Sequence, residues 1–248
     1  MKWIADLHTH TLLSGHAFSS IKENILGAKE AGLEILANTD HAPGMPGANE
    51  AFYHFYNQFV IPEEVDGIRV LKGAEVNIMG EDGSVDLPPF VLSKLDLVIA
   101  SLHEMCFAPG DANTNTACLL GAIESGWVDI IGHPGNPAYP VDMERVVRAC
   151  QKHHVVLEIN NTSLKGQVRP GSDVHLKHML TLCQAEGLQI AVGSDAHWMG
   201  DVGRLDEAHD FLQSQGYSED RILNTDRARL FDFLAMRKEV RETLAKKV

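Results

Sequence analysis

The chain has 248 residues, 34 acidic against 21 basic side chains for a net charge of −13, and is 44% hydrophobic and 22% charged. That length holds one large domain or two small ones, and the composition excludes a disordered chain, a collagen-like repeat and a disulfide miniprotein. The acidic balance argues against a nucleic-acid binder, which neutralises phosphates with Lys and Arg.

The chain opens with one base, Lys2, and an acid, Asp6, and lacks the apolar stretch of a secretory signal. No run approaches the roughly 20 apolar residues that cross a bilayer. Cys106, Cys118, Cys150 and Cys183 are widely spaced without a C-x-x-C pair, and read as reduced, mostly buried thiols. These features point to a cytoplasmic protein without a membrane partner.

Apolar runs of strand length stand at 3–7, 34–38, 68–74, 95–100, 128–131, 155–159 and 189–192, their starts 27 to 34 residues apart. That interval is the length of one βα unit. Helical segments are expected between them at 21–31, 50–59, 115–124, 143–152 and 173–186, with apolar spacings such as Val146, Val147 and Cys150. Gly32, Gly126 and Gly187 each fall where a helix must end at positive φ before the next strand. The Gly/Pro-rich stretches 42–49, 135–140 and 165–171 follow strands and read as loops at one end of the fold, not as linkers. Residues 1–248 are therefore read as a single α/β domain. A helical segment over about 206–248 is expected to pack across it or at a subunit contact.

The polar residues choose between an open sheet and a barrel. Successive strand ends carry His8-Thr9-His10, Asp40-His41, Glu75, His103, His133 and Asp195-Ala196-His197, with His16 in the first loop. The sixth strand ends instead on Glu158-Ile159-Asn160-Asn161. An open doubly wound sheet gathers only the strands at its switch point, whereas a TIM-like barrel gathers every strand end into one ring. Seven of the 13 histidines occupy these positions. On a strand, residues two apart point to one face, so His8 with His10 and Asp195 with His197 each form a pair. Neutral His, Asp and Glu are ligands that zinc and similar ions accept, and Asp40 is placed to take the ring N–H of His41. The remaining histidines, His54 among them, are read as structural or solvent-facing.

This pattern resembles the PHP (polymerase and histidinol phosphatase) family of metal-dependent phosphoesterases, and within it the YcdX-type probable phosphatases. The likeness runs from Ala5-Asp6-Leu7-His8-Thr9-His10 to Gly193-Ser194-Asp195-Ala196-His197, with all nine ligand positions filled. It implies a distorted seven-stranded (β/α)7 TIM-like barrel with three metal ions, usually zinc, at the C-terminal ends of the strands. By this resemblance His8, His10, Glu75 and Asp195 hold one ion, Glu75, His103 and His133 a second, and His16, His41 and His197 a third. Manganese or iron would suit the same donors. Glu75 and Asp195 then carry the chemistry through a metal-bound hydroxide that hydrolyses a small phosphomonoester. No general acid is assigned. Lys165 and Arg169 are candidate grips on the substrate phosphate. A phosphodiesterase or 3′-end nuclease is the alternative, and an amidohydrolase-type enzyme or a zinc sensor ranks below it. The partner expected is a small phosphorylated molecule rather than a nucleic acid, and a homo-oligomer is compatible with the sequence.

Overall fold

The computed structural model describes residues 1–247. Its strands are β1 (Ala5–Asp6), β2 (Ile35–Asn38), β3 (Glu64–Val65), β4 (Ile68–Asn77), β5 (Leu97–Ser101), β6 (Ile130–Ile131), β7 (Val156–Asn160) and β8 (Ile190–Gly193). Seven of them form a parallel sheet in the order β1-β2-β4-β5-β6-β7-β8. β3 is an antiparallel extra, turned back onto β4 across Asp66 and Gly67, both at positive φ. Beyond β8 and β1 the ring is joined through a parallel bridge between Thr9 and Ala196. There Asp195 N donates to His8 O at 2.9 Å and His10 N to Ala196 O at 2.9 Å. The barrel is thus nearly closed, and its seam is made by the segments that carry the first and last histidine pairs.

The helices are α1 (Ile21–Glu30), α2 (Tyr53–Tyr56), α3 (Pro89–Leu92), α4 (Ala112–Glu124), α5 (Met143–His153), α6 (Asn161–Leu164), α7 (Ser172–Glu186), α8 (Asp206–Ser214) and α9 (Arg227–Ala245). Start signals fix their first turns. Ser20 and Glu23 form a reciprocal capping box on α1, and Asp111 accepts from Thr114 N at 2.8 Å on α4. That cap starts α4 three residues ahead of the expected 115. The helix expected at 50–59 shrinks to α2 followed by a 3₁₀ turn over Asn57–Val60. Its N-terminus has no side-chain cap, and its aromatic run has low helix propensity. Gly32, Gly126 and Gly187 all take positive φ, as the sequence requires.

Two apolar layers hold the barrel. Outside it, Val98, Leu157 and Val192 face Leu119, Val146, Val147, Leu176, Met179 and Cys183 of the helices. Inside the N-terminal end, Leu7, Ile35, Leu71, Ile99 and Val156 meet Leu230, Phe233 and Leu234 of α9. Each fully buried aliphatic or aromatic side chain contributes about 1.5–3 kcal/mol. The C-terminal segment therefore packs across the barrel and plugs the end opposite the histidines. Arg237 and Arg241 of α9 are buried there beside Asp129, which lies just before β6. Arg237 also donates to His153 O at 2.7 Å and Val128 O at 2.7 Å, and Arg241 to Leu95 O at 2.8 Å. Cys118, Cys150 and Cys183 are buried and Cys106 is half-buried, all as free thiols. No helix among the described residues is long and apolar enough to cross a membrane.

Candidate metal centre

The C-terminal ends of the strands bring the nine sequence-derived candidates into one cluster. His8 and His10 follow β1, His41 follows β2, Glu75 lies within β4, His103 follows β5, His133 follows β6, and Asp195 and His197 follow β8. His16 sits in the loop after β1, where Gly15 turns at φ 83° against Gly47; a Cβ there would stand 2.0 Å from Gly47 O. Gly193 leaves the room the centre needs, since a Cβ on it would fall 2.3 Å from His8 Cβ and 2.4 Å from Glu158 Oε1. Two candidates occupy left-handed backbone that non-glycine residues seldom adopt, His133 at φ 32° and Asp195 at φ 58°. Backbone bonds hold both, from His133 N to Glu158 Oε2 at 2.7 Å and from Asp195 N to His8 O at 2.9 Å.

The donors separate into overlapping groups. His8 Nε2 is 3.3 Å and His10 Nε2 3.6 Å from Glu75 Oε2, and His10 Nε2 is 3.2 Å from Asp195 Oδ1. The other oxygen of Glu75, Oε1, faces His103 Nε2 at 3.3 Å and His133 Nε2 at 3.0 Å. One carboxylate therefore fronts two donor groups, as two oxygens permit. In a third group His10, His41 and His197 converge, and His41 Nδ1 also stands 2.7 Å from Glu75 Oε2. His16 joins them by stacking its ring on His41 at 5.0 Å and on His197 at 4.8 Å, without a nitrogen in the converging set.

These residues fit divalent cations on a test internal to the fold. His8 Nε2, His10 Nε2, His41 Nδ1 and Glu75 Oε2 are buried and make no hydrogen bond among the described residues, the 2.7 Å approach of His41 Nδ1 to Glu75 Oε2 lacking hydrogen-bond geometry. An unsatisfied buried polar atom costs about 1–3 kcal/mol, so several aimed at one another are tolerated only where something else satisfies them. Their protonation agrees. Burial lowers His10 well below the usual imidazole value and takes His133 down to about 4, with cationic neighbours adding to both. Burial also opposes charge on Glu75 and Asp195, but His8 and the other nearby cations outweigh it and hold both carboxyls well below the usual range. Anionic carboxylates and neutral imidazoles are the forms that ligate metal. His8 differs: burial opposes its cation, yet Glu158, Glu75 and Asp195 raise it well above the usual value.

An outer layer orients the donors, and part of it was invisible in the sequence. Glu158 Oε1 takes His8 Nδ1 at 2.7 Å, so the sixth barrel strand supplies a supporting carboxylate where the others supply candidate ligands. His103 Nδ1 meets Asn77 Oδ1 at 2.7 Å, and Ser101 Oγ donates to Glu75 Oε1 at 2.6 Å. Asp40 does not take the His41 ring. Consecutive residues in extended chain point oppositely, and Asp40 turns back to accept from Thr11 N at 2.6 Å and Ser14 Oγ at 2.8 Å. Ser14 Oγ in turn meets His10 Nδ1 at 3.0 Å, so Asp40 supports a different histidine from the one expected. His54 Nε2 reaches the same carboxylate at 3.3 Å, which gives that structural histidine its place.

A cleft of about 310 Å³ opens over the donors, lined by His16, His41, Met45, His103, Thr162, Val168, Arg169, Asp195 and His197. Arg169 enters it, with Nη1 3.1 Å from Asp195 Oδ2. Lys165 does not: its Nζ lies 3.5 Å from Asp201, to the side.

Comparison with known proteins agrees with this geometry. A probable phosphatase of Thermoanaerobacter sp. (strain X514) is 47% identical over 96% of this chain and 97% of its own. A probable phosphatase of Vibrio parahaemolyticus is 44% identical over 96% of this chain and 95% of its own. Among solved structures, the histidinol phosphate phosphatase of Lactococcus lactis, complexed with zinc, L-histidinol and phosphate, shares the fold with a TM-score of 0.56. It is 17% identical and covers 86% of this chain and 94% of its own. The model of the PHP domain matches residues 6–223, and with that span covering all but the first residue of the barrel the chain belongs to the PHP-domain family.

Proposed function

We propose that the protein is a metal-dependent phosphatase that hydrolyses a small phosphomonoester at a trinuclear zinc centre, with manganese or iron as alternative ions. His8, His10, Glu75 and Asp195 would hold one ion, Glu75, His103 and His133 a second, and His16, His41 and His197 a third. The observation that carries this reading is the set of buried, partnerless donor atoms at the floor of an open cleft. The names of the curated relatives support it. Divalent ions in such a centre acidify a water and neutralise a phosphoryl group.

The residues of the chain do the rest. Glu75 presents one oxygen to each of two donor groups and is fixed by Ser101. Asp195 stays anionic beside His8, His10 and Arg169. Arg169, at the cleft wall, is the proposed grip on the phosphate oxygens, and Lys165 is the secondary candidate because Asp201 already engages it. A compact dianion suits a cationic pocket inside a chain of net charge −13, whereas a polyanion would meet repulsion around it.

Elemental analysis of the purified protein beside a His16→Ala variant, with monoester and diester hydrolysis assayed on both, tests this. About three ions per chain falling to about two, with monoester turnover lost, is the expected result. One ion or none without chelator, full activity in the variant, or diester hydrolysis outrunning monoester hydrolysis would overturn it.

A further inference from the structure

The cleft has a polar floor and an apolar outer wall. Besides the donors and Arg169, its lining consists of Met45, Thr162 and Val168. Thr162 spends its hydroxyl on Ser194 O at 2.8 Å, and Arg169 Nη1 is engaged by Asp195 and Ser163, each at 3.1 Å. Among the described lining residues, then, no Asn, Gln or further carboxylate stands ready to read the hydroxyls of a sugar. A buried hydroxyl without a partner loses its water for nothing, so the wall disfavours a polyol.

Exposed apolar side chains stand on the loops of the same face. Val168 is 61% exposed, Phe18 77%, Trp198 56% and Met105 71%. All belong to loops that follow strand ends at the metal face. Phe18 N donates to His197 O at 2.7 Å, and Trp198 is the next residue in the chain. The Lys165–Asp201 pair ties the loop bearing Val168 to the turn that follows Trp198. Scattered exposed apolar residues are ordinary, but here Val168 lines the cleft itself and Phe18 and Trp198 flank His197, another lining residue, in the backbone.

From this, and resting on the phosphatase reading above, we infer that the organic half of the phosphomonoester is apolar, and that Phe18, Val168 and Trp198 form its seat. The phosphate would lie against the donors and Arg169, and the ester oxygen would face outward. An aryl or alkyl group pointing outward would meet Val168 on the cleft wall, with Phe18 and Trp198 on the segments that flank His197. Specificity then comes from apolar area removed from water outside the centre and not from hydroxyl readout within it.

Binding and turnover by the metal-loaded protein separate the possibilities. Titration calorimetry would compare benzylphosphonate, methylphosphonate and 2-hydroxyethylphosphonate, which cannot be hydrolysed. Hydrolysis would compare benzyl phosphate with glycerol 3-phosphate, both alkyl esters, so that leaving-group reactivity does not decide the result. Benzylphosphonate is expected to bind about tenfold more tightly than either small phosphonate, and that ratio to fall toward one in Phe18→Ser/Trp198→Ser. Because the Trp198 ring covers Gly200, the nearly isosteric Val168→Thr serves as a second variant, with the ratio expected to fall about threefold. Equal binding of the benzyl and hydroxyethyl compounds, or a ratio untouched by both variants, would overturn the inference while leaving the phosphatase reading intact. No phosphonate binding and no hydrolysis of either ester would defeat the phosphatase reading itself, and this inference with it.

Discussion

Glu158 holds two candidate ligands at once, one oxygen on His8 Nδ1 and the other on the backbone of His133, each at 2.7 Å. It also helps to raise the His8 ring well above its usual value, against the opposing effect of burial. Glu158→Gln keeps the shape, removes the charge and leaves one acceptor oxygen where His8 Nδ1 and His133 N–H need two, so both can no longer be held. Metal affinity is expected to fall about 10–100-fold, measured by competition with a chromophoric chelator, while the fold persists. An unchanged affinity would show that His8 is held by its backbone alone. This residue marks the limit of sequence reading at this scale. That the sixth strand ends in polar residues is plain from Glu158 to Asn161, but its partner His8 lies 150 residues away and is assigned only by packing. Asp40 makes the same point: adjacency to His41 suggested one partner, and the alternation of extended chain delivered another through Ser14.

Among the elements, periodicity located the barrel strands well because nearly all their residues are buried on both faces and most are therefore apolar. It missed β3, whose Glu64 is exposed and whose Val65 is only half-buried, so that no apolar pattern is left. It also missed α3 and α6, single turns too short to show a period. Helix α9 was legible as helical, but what it covers was not. Its buried cations Arg237 and Arg241 read in sequence like ordinary surface charges until Asp129, 108 residues before Arg237, is set beside them. Asp129→Ala would leave two buried guanidiniums without their anion. The expected cost is about 3–5 kcal/mol. At about 2–4 °C per kcal/mol for a chain of this size, the melting point should drop by roughly 6–20 °C. Differential scanning calorimetry checks it, and a shift within 2 °C or so would mean that the carbonyls of the adjoining loops satisfy both cations on their own.

For the molecule as a whole, the buried acids that must stay protonated set an alkaline limit. Burial raises the Cys150 thiol well above the ordinary value and pushes Cys183 up to about 12, and burial likewise raises the Tyr139 and Tyr217 hydroxyls. In the unfolded chain the thiols ionise near pH 8.5. Between that pH and their folded values the unfolded state holds fewer protons, so stability is full below about pH 8.5 and declines as pH rises toward 12. The slope is about 1.4 kcal/mol per pH unit for each thiol. Urea midpoints should be flat from pH 7 to 8.5 and fall above it, and Cys183→Ala should shallow the fall; a midpoint constant to pH 11 would contradict this. The plug at the N-terminal end of the barrel also bears on how the protein is made. Asp129 leaves the ribosome 108 residues ahead of Arg237, a lag of roughly 5–20 s at 5–20 residues per second. Throughout that interval the strands can gather, but the carboxylate at their base lacks its cations and the lower layer of the core lacks Leu230, Phe233 and Leu234. The barrel is therefore finished last, from its base. A message cut short before Arg227 yields a chain that carries every candidate ligand and cannot seal the scaffold that aligns them.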